Sequence, residues 1–229
     1  MELFPYIPRP YQTELVERIR NAAEDGKNFC LHAPTGFGKT EAALLPIFSK
    51  MLEIKPKPIA LLYITPLKSL NRDMLSRMLF WAKELGFGVS VRHGDTTAHE
   101  RKLQVEHPDE MFIITPEQLQ AMLTGKRIRK LLENVLFVVV DELHELVESK
   151  RGVQLAVALE RLKKLCKRKF QIIALSATVA EPAKAASFIG CEKVIEAYST
   201  KEYEIKVMKV KPDSEDRLLS EKICLDAEH

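Results

Sequence analysis

The chain predicts an α/β fold, a doubly wound and mostly parallel sheet with helices on both faces. Three observations predict it. Continuous apolar runs of strand length recur along the chain, residues 59–64 and 135–140 among them, and a run without alternation marks a strand buried on both faces. Amphipathic helical patterns separate these runs, and alternating strands and helices build parallel βαβ units. Between the first run and the next helical pattern lies a glycine-bearing turn, Ala33-Pro34-Thr35-Gly36-Phe37-Gly38-Lys39-Thr40.

Taken in order, 12–23 has helical periodicity through Leu15, Val16 and Ile19, and Gly26 ends it. Strand 28–32 leads into the glycine turn, and helix 40–52 follows, closed by Lys55-Pro56-Lys57-Pro58. The alternation then continues: strand 59–64, helix 67–85, strand 89–93, helix 98–105, strand 111–114, helix 117–123, strand 135–140. Helix 153–167, strand 171–175, helix 182–188 and strand 193–196 complete it. Residues 1–200 are expected to form one domain. From 201 the composition turns polar, with one alternating strand over 202–211 and a linker-like stretch at 212–216. The pattern stops at His229 inside another helical stretch, as a cut chain would.

Composition narrows the class. A chain of 229 residues with 46% hydrophobic and 29% charged residues is globular, not disordered. A net charge of +3 permits a nucleic-acid partner without arguing for one. Four cysteines without a Cys-x-x-Cys pair read as reduced packing thiols of an intracellular protein. The six histidines have no zinc spacing. The amino terminus lacks the basic-then-apolar order of a signal peptide, and no apolar run is long enough to cross a bilayer. A soluble cytoplasmic protein without a membrane partner is expected. Two basic clusters, 126–130 and 163–169, read as solvated faces, and the second also suits a helix C-terminus.

The glycine turn carries the chemistry. Gly36 and Gly38 let backbone N–H groups turn inward around a phosphate, and the helix beginning at Lys39 offers unpaired N–H groups and its positive dipole end to the same anion. Lys39 supplies a charge for the β/γ-phosphates, and the Thr40 hydroxyl is placed to ligate Mg²⁺. The general phosphate-loop pattern opens with Gly, where this chain has Ala33. An ordinary strand-to-helix turn shares the glycines but does not account for Lys39-Thr40 with these flanks. Asp141 and Glu142 directly follow strand 135–140, where residues of a parallel sheet line the ligand crevice. Asp141 would hold Mg²⁺ and Glu142 would orient or deprotonate the attacking water; solvated acids at a strand end are the plainer alternative.

Asp141-Glu142-Leu143-His144, together with residues 33–40, resembles the superfamily 2 helicases of the DExH type. The family's further motifs follow in order: Thr65-Pro66-Leu67-Lys68-Ser69-Leu70, Thr115-Pro116-Glu117 and Ser176-Ala177-Thr178. Asn71-Arg72-Asp73-Met74, Gly94-Asp95-Thr96 and Ser149-Lys150-Arg151-Gly152-Val153-Gln154-Leu155 resemble the large-helicase-related (Lhr) branch near the Ski2-like enzymes. The resemblance spans about residues 9–190 and implies a RecA-like, P-loop NTPase motor domain using ATP and Mg²⁺.

It also implies roles at matching positions. Gln12 resembles the glutamine that reads adenine, with Phe4 or Tyr6 as stacking partners. Pro34, Thr35, Gly36, Phe37, Gly38, Lys39 and Thr40 would cradle the nucleotide. Pro66, Lys68, Arg72, Gly94, Asp95, Thr115 and Glu117 match positions that line a track for one nucleic-acid strand, gripped by its backbone. His144, Ser176 and Thr178 match the residues that couple phosphate state to strand grip. The family closes its ATP site against a second RecA-like domain in cis, and no later motif follows Thr178. The expectation is therefore the first motor domain of a helicase or translocase acting on single-stranded or partly duplex nucleic acid, slow to hydrolyse ATP by itself. A motor subunit of a nuclease or restriction system, and a nucleotide-binding regulatory module, share the same motifs.

Overall fold

The computed structural model describes residues 25–66, 72–147, 149–177 and 181–197, together with Glu17, Ile19, Asn21 and Ala22. The expected strand and linker at 201–229, most of helix 12–23, and Gln12, Lys68 and Thr178 lie outside the described residues.

The apolar runs become strands because each is buried along its whole length. Phe29–His32 is β1, Leu61–Ile64 β2, Met111–Ile114 β4, Phe137–Val140 β5 and Gln171–Ser176 β6, every residue buried. The less buried β3, Val89–Arg92, and β7, Lys193–Glu196, take the two edges. The seven strands form one sheet in the order β3-β4-β2-β5-β6-β1-β7, and all its pairings are parallel. β1 and β3 are one residue shorter than expected and β2 and β5 two residues shorter; at 60 and 136 the backbone is still entering the sheet, since Ala60 and Leu61 N–H both donate to Glu110 O, and Leu136 and Phe137 N–H both donate to Ala60 O.

Alternating side chains divide the interior into two layers. Leu62, Ile64, Val138 and Val140 point to the layer built from α4 (Pro116–Thr124), α7 (Lys150–Leu165) and α8 (Pro182–Phe188). Leu61, Tyr63, Phe137 and Val139 point to the opposite layer, filled by α1 (Lys39–Ile54) and α2 (Arg72–Glu84). This is the doubly wound arrangement that the sequence implies. Of the remaining helices, α3 (Ala98–Glu106) opens with a Thr97/Glu100 capping box. Helix α7 begins three residues earlier than its apolar periodicity shows, since Ser149 Oγ accepts the Gly152 N–H at 3.0 Å and caps it.

Two short helices lie outside the predicted set. They are α5, Ile128–Leu131, which continues into a 3₁₀ turn at Leu132–Asn134, and α6, Leu143–Leu146. The charged residues of 126–130 are exposed as expected, but Ile128 between them is buried. Cys30 and Cys191 are buried free thiols and Cys166 is half-buried; burial pushes Cys30 up to about 12 and Cys166 up to about 11, which suits packing rather than reactivity. No described helix is long and apolar enough to cross a membrane.

Candidate nucleotide site

Because all seven strands are parallel, their carboxyl ends share one edge of the sheet, and the singled-out residues gather there. The glycine turn leaves β1 with Ala33 N–H donating to Ser176 O at 3.2 Å, so it starts anchored to the end of β6. Gly36 (φ 76°) and Gly38 (φ 75°) both occupy the left-handed region. A Cβ on Gly36 would meet nothing within 4 Å, so backbone conformation and not crowding calls for glycine there. Gly38 is the N-cap of α1 and no side chain caps that helix, which leaves its first N–H groups facing the turn. Phe37 is buried in the α1 layer and fixes the turn from below, while Thr35 and Gly36 are exposed. Lys39 Nζ donates to Ala33 O at 2.8 Å and Pro34 O at 3.0 Å.

Asp141 follows β5 and is 4% exposed. Its N–H donates to Ile64 O at 2.8 Å, its Oδ1 accepts the Glu142 N–H at 2.8 Å, and its Oδ2 accepts the Tyr63 hydroxyl at 2.5 Å. The Thr40 side chain lies beside the same phenol, so Tyr63 stands between the glycine turn and the acidic pair. Burial pushes the Asp141 carboxyl up to about 6; the Tyr63 and Glu142 hydrogen bonds and the Lys39 charge pull the other way. Burial likewise holds Lys39 below the usual lysine range, against the raising effect of the Glu142 and Asp141 carboxylates. Glu142 sits at φ 49°, ψ 44°, a left-handed conformation that a non-glycine residue adopts at a cost of about 1–2 kcal/mol. Such conformations persist where the surroundings fix them, and they cluster at functional sites.

His144, on α6, spans to the end of β6. Its Nδ1 accepts the Ala177 N–H at 3.3 Å and lies 3.3 Å from Glu142 Oε2. Ser176 is 1% exposed and donates to Ala177 O at 3.0 Å. The expected coupling residues His144 and Ser176 therefore both hydrogen-bond the backbone of Ala177, just after β6.

The residues expected along a strand track cluster apart from these, beyond β2, β3 and β4. Pro66 is buried just after β2, and Arg72 is exposed at the first position of α2. Gly94 and Asp95 are exposed beyond β3; Gly94 O accepts Arg101 NH2 at 3.3 Å, and Asp95 N–H donates to His93 Nδ1 at 3.2 Å. Thr115 is the N-cap residue of α4 and is buried. Glu117 is not a free acid, since Arg151 Nε and NH2 reach its two carboxylate oxygens at 2.6 and 3.3 Å.

Sequence reasoning missed two members of this arrangement. Tyr63 lies inside an aliphatic run and reads only as a strand residue, although a phenol buried among leucines and isoleucine needs a hydrogen-bond partner. Arg151 stands in a branch motif that gives no contact for it; its partner lies on another helix.

A glycine turn after one strand of a parallel sheet, facing an acidic pair after another, defines a P-loop NTPase of the RecA-like class. The chain belongs to the DEAD/DEAH box helicase family, whose model matches residues 9–186. It is 35% identical over 201 residues to the ATP-dependent helicase Lhr-Core of Sulfolobus acidocaldarius, an alignment covering 80% of this chain and 23% of that protein. Among solved structures it is similar to the Mycobacterium smegmatis helicase Lhr bound to ssDNA and AMP-PNP, with a TM-score of 0.75 at 31% identity over 97% of this chain and 31% of that one. The DEAD-box helicase Mss116, bound to ssRNA and UDP-BeF, shares the fold with a TM-score of 0.71 at 21% identity, over 85% of this chain and 40% of that one. The chain thus spans about a quarter of the length of its Lhr-Core relative.

Proposed function

We propose that this chain is the first motor domain of an ATP-dependent DNA or RNA helicase or translocase of the Lhr kind. The observation that carries the reading is the approach of the glycine turn to Asp141, where Lys39 and Asp141 act on each other's charge and Tyr63 bonds the carboxylate. It draws the phosphate-binding and acidic groups into one buried site.

In this reading residues 34–40 cradle the triphosphate with N–H groups and the α1 dipole. Lys39 reaches the β/γ-phosphates by exchanging the carbonyls of Ala33 and Pro34 for phosphate oxygens. The protein donors fit Mg²⁺: one hydroxyl, Thr40, and one carboxylate, Asp141, with no cluster of three or more His, Cys, Asp or Glu among the described residues. That ion is held by a carboxylate or two together with substrate phosphates. Bound there, it would neutralise charge developing on the phosphates. Glu142 orients the attacking water and takes its proton. Gln12 reads the adenine. Pro66, Lys68, Arg72, Gly94, Asp95, Thr115 and Glu117 line the track for one strand, with Arg151 fixing Glu117. His144, Ser176 and Thr178 link the two regions.

Residues 1–200 form the domain, and 201–229 lead towards a second RecA-like domain that supplies the arginines for the transition state. Hydrolysis by this chain alone is accordingly slow. The free thiols of Cys30, Cys166 and Cys191 support a cytoplasmic setting.

The test is ATP hydrolysis by the longer natural protein with no nucleic acid, with single-stranded DNA and with single-stranded RNA, beside a Lys39→Ala control. Strong stimulation by either polymer, absent in the control, is expected. Nucleotide binding without stimulation by either polymer would overturn the motor reading in favour of a regulatory module.

A further inference from the structure

Tyr63 is the one polar side chain of β2, between Leu62 and Ile64, and it is 0% exposed. Phenylalanine would fill the same space in the α1 layer without a hydroxyl to satisfy. A buried hydroxyl is costly unless bonded, and this one donates to Asp141 Oδ2 at 2.5 Å, with the Thr40 side chain beside it. A contact that short is typical of a hydroxyl donating to an ionised acceptor. Oδ1 of the same carboxylate is held by the Glu142 N–H at 2.8 Å, and the Asp141 backbone is tied to Ile64 O. Both oxygens of Asp141 are therefore fixed from the protein side, and each keeps lone-pair capacity for another partner. Asp141 follows β5 and Thr40 is the second residue of α1, and they are the two protein donors assigned above to the cation.

We propose that Tyr63 is a positioning residue for the nucleotide-bound cation: its hydroxyl fixes the Asp141 carboxylate, the one carboxylate donor assigned to that cation. The proposal rests on the nucleotide reading of the site. It assigns the phenyl ring to packing and the hydroxyl to the cation alone, so Tyr63→Phe must fold normally and bind metal-free nucleotide normally. Residues that orient metal ligands by hydrogen bonding change metal affinity by roughly 10–100-fold when removed.

The test titrates a fluorescent ADP analogue into the full chain, with Mg²⁺ and with EDTA, for the unmutated protein, Tyr63→Phe, Asp141→Asn and the double variant. Expected for Tyr63→Phe is an affinity in EDTA within about twofold of the unmutated chain and a loss of about tenfold in the gain that Mg²⁺ confers. In the Asp141→Asn background the same change should do nothing further, since its target is gone. An undiminished Mg²⁺ gain in Tyr63→Phe would overturn the inference. So would equal losses with and without Mg²⁺, or a Tyr63→Phe chain that fails to fold, since either makes the hydroxyl a general structural bond. An unmutated chain that binds no nucleotide, or binds it indifferently to Mg²⁺, would instead bring down the nucleotide reading on which the inference stands.

Discussion

Glu142 Oε2 lies 3.3 Å from His144 Nδ1, and the same nitrogen accepts the N–H of Ala177 at 3.3 Å. One nitrogen cannot serve both at once: it accepts from Ala177 only when unprotonated and donates to Glu142 only when it carries the proton. The imidazole is thus a shared link between the acid expected to handle water and the end of β6, from which Ser176 O also holds the glycine turn through Ala33.

His144→Ala removes that link without touching a phosphate-facing group. Nucleotide affinity should stay within about twofold, while stimulation of hydrolysis by nucleic acid in the longer natural protein falls at least about fivefold, the low end of ordinary coupling energies. Steady-state hydrolysis with and without single-stranded nucleic acid reads this directly. Unchanged stimulation would show that the link to β6 does not carry the coupling.

Glu142→Gln keeps size and backbone while removing the base. Since Gln suffers the same left-handed backbone at φ 49°, the variant should match the parent in melting temperature. ATP should still bind, and single-turnover hydrolysis should fall by about 10²–10⁴-fold, the range of a lost general base. Hydrolysis within a few fold of the parent would assign the water to another residue. Lys39→Ala differs in kind: a lost charged hydrogen-bond partner weakens nucleotide binding by roughly tenfold or more, measured by equilibrium titration.

Much of this arrangement was legible in the sequence because it is local. Strands buried on both faces announce themselves as unbroken apolar runs, so Met111–Ile114 has the predicted bounds; the edge strand Lys193–Glu196 and helix Pro182–Phe188 keep theirs as well. The glycine turn and the acidic pair each lie within a few consecutive residues. What was not legible needed either too short a signal or a distant partner. The four-residue helices α5 and α6 are about one turn long and carry no periodicity to detect. Arg151 finds Glu117 across two helices, and Tyr63 finds Asp141 across two strands that only the sheet order makes neighbours. Contacts of that kind follow from topology, which local pattern does not specify.

Gly152 illustrates a sequence feature whose reason appears only in three dimensions. A Cβ there would lie 2.0 Å from Leu146 O and 3.1 Å from the Phe188 ring. Leu146 O cannot retreat, because it accepts both the Ser149 N–H at 3.1 Å and the Ser149 hydroxyl at 2.7 Å. Gly152→Ala should therefore destabilise the chain by about 3 kcal/mol, at the upper end of overpacking costs, lowering Tm by roughly 6–12 °C for a domain of this size. Gly94→Ala, where a Cβ meets nothing within 4 Å, is the control and should melt with the parent. Equal melting temperatures for the two variants would mean that α7 does not pack against Leu146 of α6 and Phe188 of α8 as closely as described.

Asp141 gives stability a pH dependence of definite sign. Burial raises its carboxyl from an ordinary 3.8 to about 6, so between those values the native state holds a proton that the unfolded chain has released. Stability from this group is accordingly highest at low pH, falls as pH rises through the window, and is level above it. The ionised carboxylate costs the native state about 3 kcal/mol at neutral pH in the absence of a cation. Asp141→Asn removes the titration, and the freely rotating Tyr63 hydroxyl can accept from the new amide. Urea unfolding in EDTA from pH 4 to 7 should show the variant gaining on the parent as pH rises to about 6, and no further gain beyond it. A stability difference that stays constant across this range would mean that Asp141 is ionised throughout, its charge held by Tyr63, Glu142 and Lys39 strongly enough to outweigh its burial.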